Sequence, residues 1–116
     1  MKYALLIYNE ERQNGASEEE QRKMMAEYSA YTEGIRSSGH MLGGEALHPV
    51  AAATTVQVRN GETLVTDGPF AETKETLGGF YLVNAKDADE AIELAARIPG
   101  ARDGKIEVRP IVEFES

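Results

Sequence analysis

The stretch Thr54–Thr66, TTVQVRNGETLVT, decides the fold because it divides the chain into two similar halves. Val56 and Val58 alternate with polar residues. Asn60 and Gly61 are the residue types of a type I′ turn, in which both central residues take positive φ. A second strand returns after this turn. The stretch therefore predicts a β-hairpin of two short strands.

The half before the hairpin has the pattern of a strand, a helix and a strand. Lys2–Tyr8 is apolar on both alternating faces, as in the middle of a covered sheet. A capping box opens at Ser17, and apolar residues then recur at helical spacing until a glycine stop at Gly39. These signals predict a helix over about residues 18–38. The run HMLGGEAL, 40–47, predicts a short strand bent by its glycines.

The half after the hairpin repeats this order. GGFYLVNA, 78–85, predicts a strand, and a capping box at Asp87 opens a second helix that ends before Pro99. The small residues of this helix predict close packing on a sheet. The last segment, KIEVRPIVEFE, alternates apolar and charged residues, and Pro110 predicts an edge or a break because proline cannot donate to a ladder.

Two β-α-β halves around an inserted hairpin predict an α+β fold, the ferredoxin-like split β-α-β layout, in a single domain spanning residues 1–116. Two helices cover only one face of such a sheet. A second copy of the chain is the natural cover for the other face. We therefore expect a homodimer whose sheets pack face to face as a dimeric α+β barrel.

The composition excludes several classes of partner. Twenty acidic and twelve basic residues give a formal charge of −8, and no basic patch is present, so nucleic acid is not expected as a partner. No apolar run approaches the roughly 20 residues that span a bilayer, so no membrane association is expected. The N-terminal run is typical of a first strand rather than a signal peptide, so we expect a cytoplasmic location.

Metal and cofactor sites are not predicted either. The chain has no cysteine, which excludes disulfides and thiolate metal sites. His40 and His48 are eight residues apart, without the spacing of a metal motif, and the glycine pairs Gly43-Gly44 and Gly78-Gly79 match no phosphate loop. We read His40 as a surface or packing residue and the glycine pairs as sites of close packing or bulges.

The connection Thr66–Glu75, TDGPFAETKE, carries more polar and aromatic groups than a turn requires. One interpretation is structural. Asp67 caps the turn, Gly68 takes positive φ, Pro69 fixes the exit and Phe70 fills the core.

The other interpretation is a ligand site. The Asp67 carboxylate would face a pocket lined by Tyr28 and by Gly68–Phe70, where partial burial would raise its pKa and let it accept a proton from a small ligand. A buried carboxylate needs a cationic partner, and Lys74 and Arg109 are the candidates by residue type. Both interpretations of Asp67 stay open at this point.

The sequence DGPFAETKE, followed by LGGFYLV and IEVRP, resembles the DGPF branch of the YCII-related family. The resemblance extends over nearly the whole chain, since GEAL and DEAIELA also fit. It implies a dimeric α+β barrel of ferredoxin-like halves. The better-known YCII branch is suspected of acid–base chemistry from a helix-one histidine paired with an aspartate. Some DGPF relatives are encoded beside extracytoplasmic-function sigma factors, which implies a regulatory role.

The chain departs from the YCII branch at the place of that histidine. Counting back from Gly39, this place falls at Tyr28. A tyrosine, with a pKa of about 10, is a poor proton acceptor at neutral pH but can donate a hydrogen bond or polarise a carbonyl. Two functions are therefore considered. One is a small-molecule-binding protein, with cofactor-free acid–base catalysis at Asp67 as its enzymatic form. The other is a non-catalytic regulatory or interaction module.

Overall fold

The computed structural model describes residues 1–11 and 17–114. Short 3₁₀ turns at Val50–Ala52 and Pro99–Arg102 join some of the regular elements. Positions 12–16 of the predicted loop 9–16 lie outside the described residues. The strands and helices, in chain order, are β1 (Lys2–Asn9), α1 (Glu18–Ser37), β2 (Met41–Ala46), β3 (Thr54–Arg59), β4 (Glu62–Asp67), β5 (Thr76–Asn84), α2 (Ala88–Ala96) and β6 (Lys105–Pro110).

The main sheet has four strands in the order β2-β5-β1-β6, and every neighbouring pair is antiparallel. The two central strands are β5 and β1, one from each half of the chain. β5, from the second half, lies between β2 and β1 of the first half, and β1 lies between β5 and β6 of the second half. This is the split β-α-β arrangement. The predicted ferredoxin-like α+β fold is confirmed.

The core lies between one face of this sheet and the two helices. Tyr3, Leu5 and Ile7 alternate along β1 and are buried, because every second side chain of a strand points to the same face. Their neighbours across the strands and on the helices complete the core, with the small side chains of α2 among them as predicted. These further buried residues are Ile35, Tyr81, Val83, Ala85, Ala91, Leu94, Ala95 and Ile98.

The helix ends follow the predicted local chemistry. Ser17 Oγ accepts a hydrogen bond from the backbone N–H of Glu20 at 3.2 Å, and Asp87 Oδ1 accepts one from that of Glu90 at 2.9 Å. Each bond satisfies an amide that has no partner inside the helix. Gly39 has a φ of 81°, which ends α1 in the left-handed conformation that glycine tolerates.

The hairpin β3–β4, which we call the arm, forms a separate two-stranded sheet. Asn60 and Gly61 have φ values of 50° and 80°, so the predicted type I′ turn is confirmed. Thr55 is the half-buried residue of the two strands, and the others are exposed. The radius of gyration is 16.4 Å, against about 13–14 Å for a compact domain of this length. The arm therefore extends the molecule beyond its packed body.

The last strand ends at Pro110, where the sequence predicts an edge or a break. Among the described strands, β6 pairs only with β1 and lies at the edge of the sheet. Val112 and Phe114 continue the apolar alternation in the sequence, but they lie after the strand and are exposed. Among residues 1–11 and 17–114, no helix has the length and apolar character that crossing a membrane requires.

Candidate functional site

Two glycines let β2 and β5 approach each other closely at one end of the sheet. A Cβ at Gly44 would lie 2.8 Å from the carbonyl oxygen of Phe80, and a Cβ at Gly79 would lie 2.8 Å from that of Glu45. A bulge also interrupts the pairing of β2 with β5 between Met41 and Gly43. The interpretation of the glycine pairs as sites of close packing and bulges is confirmed.

A cleft of about 500 Å³ lies between α1 and this glycine-containing part of the sheet. We call it the α1 cleft. Helix α1 contributes Tyr28, Thr32 and Arg36, which are spaced by four residues and therefore project from one face of the helix. The sheet contributes a floor that includes Gly44, Gly78, Gly79 and Tyr81. At these glycines the floor consists of backbone, because glycine has no side chain.

Three residues with side-chain hydroxyls, Tyr28, Thr32 and Tyr81, line the α1 cleft. Tyr28 Oη accepts a hydrogen bond from the backbone N–H of Gly100 at 3.1 Å. Thr32 Oγ1 and Tyr81 Oη are hydrogen-bonded to each other at 2.8 Å. A phenol oxygen has one proton to donate. Among the described residues, no acceptor is found for the proton of Tyr28, so this hydroxyl can donate to a ligand.

Burial keeps Tyr28 neutral. Desolvation raises the pKa of its phenol above the ordinary value of 10, and the bond from the Gly100 amide offsets this only in part. At neutral pH the side chain is therefore a hydrogen-bond donor and not a base. This agrees with the role that the sequence allows for a tyrosine at the place of the YCII-branch histidine.

The neighbouring Tyr31 is structural. Its hydroxyl donates to the carbonyl oxygen of Leu94 at 2.7 Å, which ties α1 to α2. Its ring meets that of Tyr81 edge to face, with centroids 5.2 Å apart. Burial, with a smaller contribution from Tyr81, raises the pKa of Tyr31 to about 12. Tyr31 thus fixes Tyr81, which in turn holds Thr32.

A larger open cleft of about 1140 Å³, the outer cleft, adjoins the α1 cleft. Tyr28 and Asn9 line both clefts. The outer cleft carries several carboxylates. Three of these are already paired, since Arg102 contacts Glu27, Lys105 contacts Glu75 and Lys74 contacts Glu10. We found no group of three or more histidine, aspartate or glutamate side chains that could hold a metal within residues 1–11 and 17–114.

The predicted site loop lies elsewhere. Asp67 ends β4, is exposed and lines neither cleft. Gly68 has a φ of 92°, donates its N–H to the carbonyl oxygen of Ala53 at 2.7 Å and accepts a bond from Thr55 Oγ1 at 2.8 Å. Half-buried Pro69 follows it. These features agree with the structural interpretation of the turn. Its last part is wrong, because Phe70 is 90% exposed and does not fill the core.

The two proposed cationic partners of Asp67 have other contacts. Lys74 pairs with Glu10 across 3.2 Å, at the margin of the outer cleft. Arg109 lies opposite Ala4 on the sheet and contacts Glu107 at 3.6 Å. Of the candidate site residues, the structure places Tyr28 in the clefts and leaves the others outside them.

Sequence reasoning missed Thr32 and Tyr81. Thr32 lies one helical turn after Tyr28, so the spacing of four was an available signal. Tyr81 lies in the predicted strand 78–85, but its neighbours across the sheet depend on the register of β2 with β5. That register is not encoded in any local pattern.

His40 joins three elements. Its Nδ1 lies 2.6 Å from Ser38 Oγ, and its Nε2 lies 3.2 Å from Glu90 Oε1. The Glu90 carboxylate also accepts the backbone N–H of Lys86 at 3.1 Å, and this bond and the contact with His40 lower its pKa. The N–H groups of Gly39 and His40 donate to carbonyl oxygens at the end of α1. The packing interpretation of His40 fits this arrangement.

The fold and the clefts define a class, namely ferredoxin-like α+β proteins with a cleft between the helices and the sheet. The sequence profile of the YCII-related domain matches residues 1–115, so the chain belongs to the YCII-related family. The chain is also 41% identical over 118 residues to an uncharacterised protein of Rhizobium meliloti (strain 1021), with coverage of 99% of this chain and 95% of that protein. The resemblance is confirmed for the family, and the DGPF branch stays a prediction.

Proposed function

We propose that this protein binds a small organic molecule in the α1 cleft. The observation that supports this proposal is that three hydroxyl-bearing residues, Tyr28, Thr32 and Tyr81, line one cleft with a glycine floor. The cleft volume of about 500 Å³ lies within the usual range of about 300–1,000 Å³ for ligand sites. Such sites combine apolar walls with a few polar groups that fix orientation.

The lining favours a flat, largely apolar ligand that carries a carbonyl or hydroxyl oxygen. Ile7 and Met41 supply apolar walls, and the glycine floor lets a ring approach the backbone. Tyr28 offers a neutral donor to a carbonyl oxygen. The Thr32–Tyr81 pair uses one of its two protons internally and has the other to donate.

An enzymatic form of this proposal would use Tyr28 to polarise a ligand carbonyl in the α1 cleft. A neutral phenol can do this without a cofactor. Acid–base catalysis at Asp67 stays a prediction. Within one chain Asp67 lines neither cleft, so its carboxylate would need a second copy to bring it to a ligand.

We also propose the homodimer as the state in which the protein acts. The sheet face opposite the helices carries Ala4, Leu6 and Leu82, which are half-buried, and neither of the two described helices covers them. Burying such apolar surface stabilises an association by about 25 cal/mol for each Å² removed from water. Light scattering tests this directly. A dimer has twice the chain mass of 12.7 kDa, and a particle of 12.7 kDa would contradict it.

A non-catalytic interaction module is the second candidate function. Phe70, 90% exposed in the connection between β4 and β5, is the observation that favours it, because large exposed aromatic side chains are frequent in protein contacts. Such a role does not require an occupied cleft. The DGPF branch, the single domain and the cytoplasmic location remain predictions under either function.

A thermal-shift screen of small carbonyl and phenolic compounds tests the ligand proposal. A compound that binds the native state raises the melting temperature according to its concentration and Kd. We expect Tyr28→Phe to weaken a hit roughly threefold to tenfold, the value of one hydrogen bond of about 0.5–1.5 kcal/mol. Thr32→Val should act in the same direction.

Asp67→Asn is the matched control, because it changes one polar group outside the cleft. We expect it to leave the shift of a hit unchanged. A hit that is insensitive to Tyr28→Phe and lost in Asp67→Asn would move the ligand site to the connection 66–75. A screen without hits, together with specific capture of a partner that depends on Phe70, would favour the interaction module.

A further inference from the structure

The arm presents one face that consists of valine and threonine. Val56 pairs directly with Val65, and Val58 pairs with Thr63, so these four side chains share one face. Val56, Val58 and Val65 are 59%, 68% and 63% exposed, respectively. We call this surface the valine face. It is a continuous β-branched surface in contact with water.

An arm without a covering surface is not expected to be stable by itself. An isolated two-stranded hairpin is at best marginally stable in water, and it becomes stable when a hydrophobic face packs against another element. Within residues 1–11 and 17–114, no element covers the valine face. The molecule measures 47 × 47 × 18 Å. Its shortest dimension has room for one layer of helices on one sheet and for no further layer. The arm therefore extends beside the body and is not folded back over it.

Charge indicates what covers the valine face. Arg59 and Glu62 lie on the opposite face of the arm, and Asp67 is the one charged side chain on the valine side, at the base of the arm. The chain has a formal charge of −8, so two copies repel each other across most surfaces. Two valine faces can meet without bringing carboxylates together along most of their length. A second copy of this chain therefore fits the surface.

We propose that the valine face packs against the valine face of the arm of a second copy, around the two-fold axis of the homodimer. This inference rests on the homodimer proposed above. A two-fold contact is isologous, so one patch serves both copies and both arms become covered together. The arm is then an interaction surface that adds to the contact of the open sheet faces. It gives a physical role to a hairpin whose valine face is uncovered within residues 1–11 and 17–114 of one chain.

Sedimentation equilibrium of paired variants tests the proposal. Val56→Thr with Val65→Thr keeps the side-chain shape and the strand propensity but makes the valine face polar. The matched control is Gln57→Thr with Leu64→Thr, at the next directly paired positions on the opposite face. We expect the valine-face pair to raise the Kd of the dimer roughly tenfold, as for buried apolar contacts in an interface, and the control to change it less than about twofold.

Leu82→Glu, on the open sheet face, separates failure of this inference from failure of the homodimer. Dissociation by Leu82→Glu with an unchanged Kd in the valine-face pair would overturn the arm contact and leave the dimer in place. An equal effect of the two arm pairs would also overturn the arm contact, and a monomeric wild type would overturn both. Hydrogen exchange checks that each variant remains folded, because the amides of β1 and β5 should stay protected in all of them.

Discussion

The connection 66–75 and the α1 cleft differ in how the chain brings polar groups together. The connection has its polar residues consecutive in sequence, and they contact different partners, since Lys74 pairs with Glu10 and Glu75 with Lys105. Gly68 bonds to the base of the arm, and Thr73 Oγ1 donates to the carbonyl oxygen of Glu75 at 2.7 Å. The cleft instead gathers Tyr28, Thr32 and Tyr81 from a helix and a strand. A conspicuous motif can thus serve as a turn, while a cleft arises from residues scattered along the sequence.

Replacing the cleft floor should have the largest effect on stability. In Gly79→Ala the new methyl group would lie 2.8 Å from the carbonyl oxygen of Glu45, so β2 and β5 must separate. We expect a loss of about 1–3 kcal/mol in the free energy of unfolding, measured by urea denaturation. Gly78→Ala is the control, because a methyl group there meets nothing within 4 Å. Equal losses in the two variants would show that β2 and β5 do not approach closely at Gly79.

Removing the hydroxyl of Tyr28 should cost less than the floor substitution. Tyr28→Phe leaves the backbone N–H of Gly100 without its acceptor, so we expect a loss of about 0.5–1.5 kcal/mol in the free energy of unfolding. Asp67→Asn, in the exposed turn, should stay within about 0.5 kcal/mol of wild type. A larger effect at Asp67 than at Tyr28 would reverse the comparison between the two regions.

Alkaline pH should probe the tyrosines around the cleft. The folded pKa of Tyr31 is about 12, above the ordinary value of 10. The folded state therefore keeps a proton that the unfolded state loses, so this stabilisation is complete below pH 10 and disappears as the pH rises through about 12. We expect the melting temperature of wild type to fall more steeply over this range than that of Tyr31→Phe. Parallel curves would contradict the assigned burial of Tyr31.

The contact between His40 and Glu90 lies outside both regions and should give the smallest effect. The pKa of Glu90 is lowered from its ordinary value of 4.5, so its stabilising contribution is present above that pH and is lost as the pH falls through the folded value. We expect Glu90→Gln to lower the melting temperature slightly at neutral pH and not in acid. Asp89→Asn, in the same helical turn, controls for net charge. A difference that persists at low pH would exclude a role for the carboxylate charge.

Local signals predicted the fold, because each acts within a few residues. Ser17 and Asp87 cap the two helices, Asn60-Gly61 makes the turn of the arm, and Pro110 ends β6. The order of these elements was then enough to indicate the split β-α-β arrangement. None of these inferences required knowledge of which strands are neighbours.

The candidate site depended on long-range geometry, and only Tyr28 was found in advance. The position of Tyr81 under Thr32 follows from the register of β5 and from the seating of α1 on the sheet. Phe70 looked like a core residue because aromatic side chains are commonly buried, but the connection carries it into solvent. Alternation within a strand also does not indicate whether its apolar face is covered, as the valine face of the arm illustrates.

Chemical-shift mapping with a hit from the screen tests the central claim most directly. Titration of the ¹⁵N-labelled protein reports which backbone amides sense the ligand. We predict that the largest changes occur at Thr32, Gly44 and Gly79, which surround the α1 cleft, with little change from Asp67 to Phe70. Changes concentrated at Asp67–Phe70, with an unaffected floor, would contradict the assignment of the ligand site to the α1 cleft.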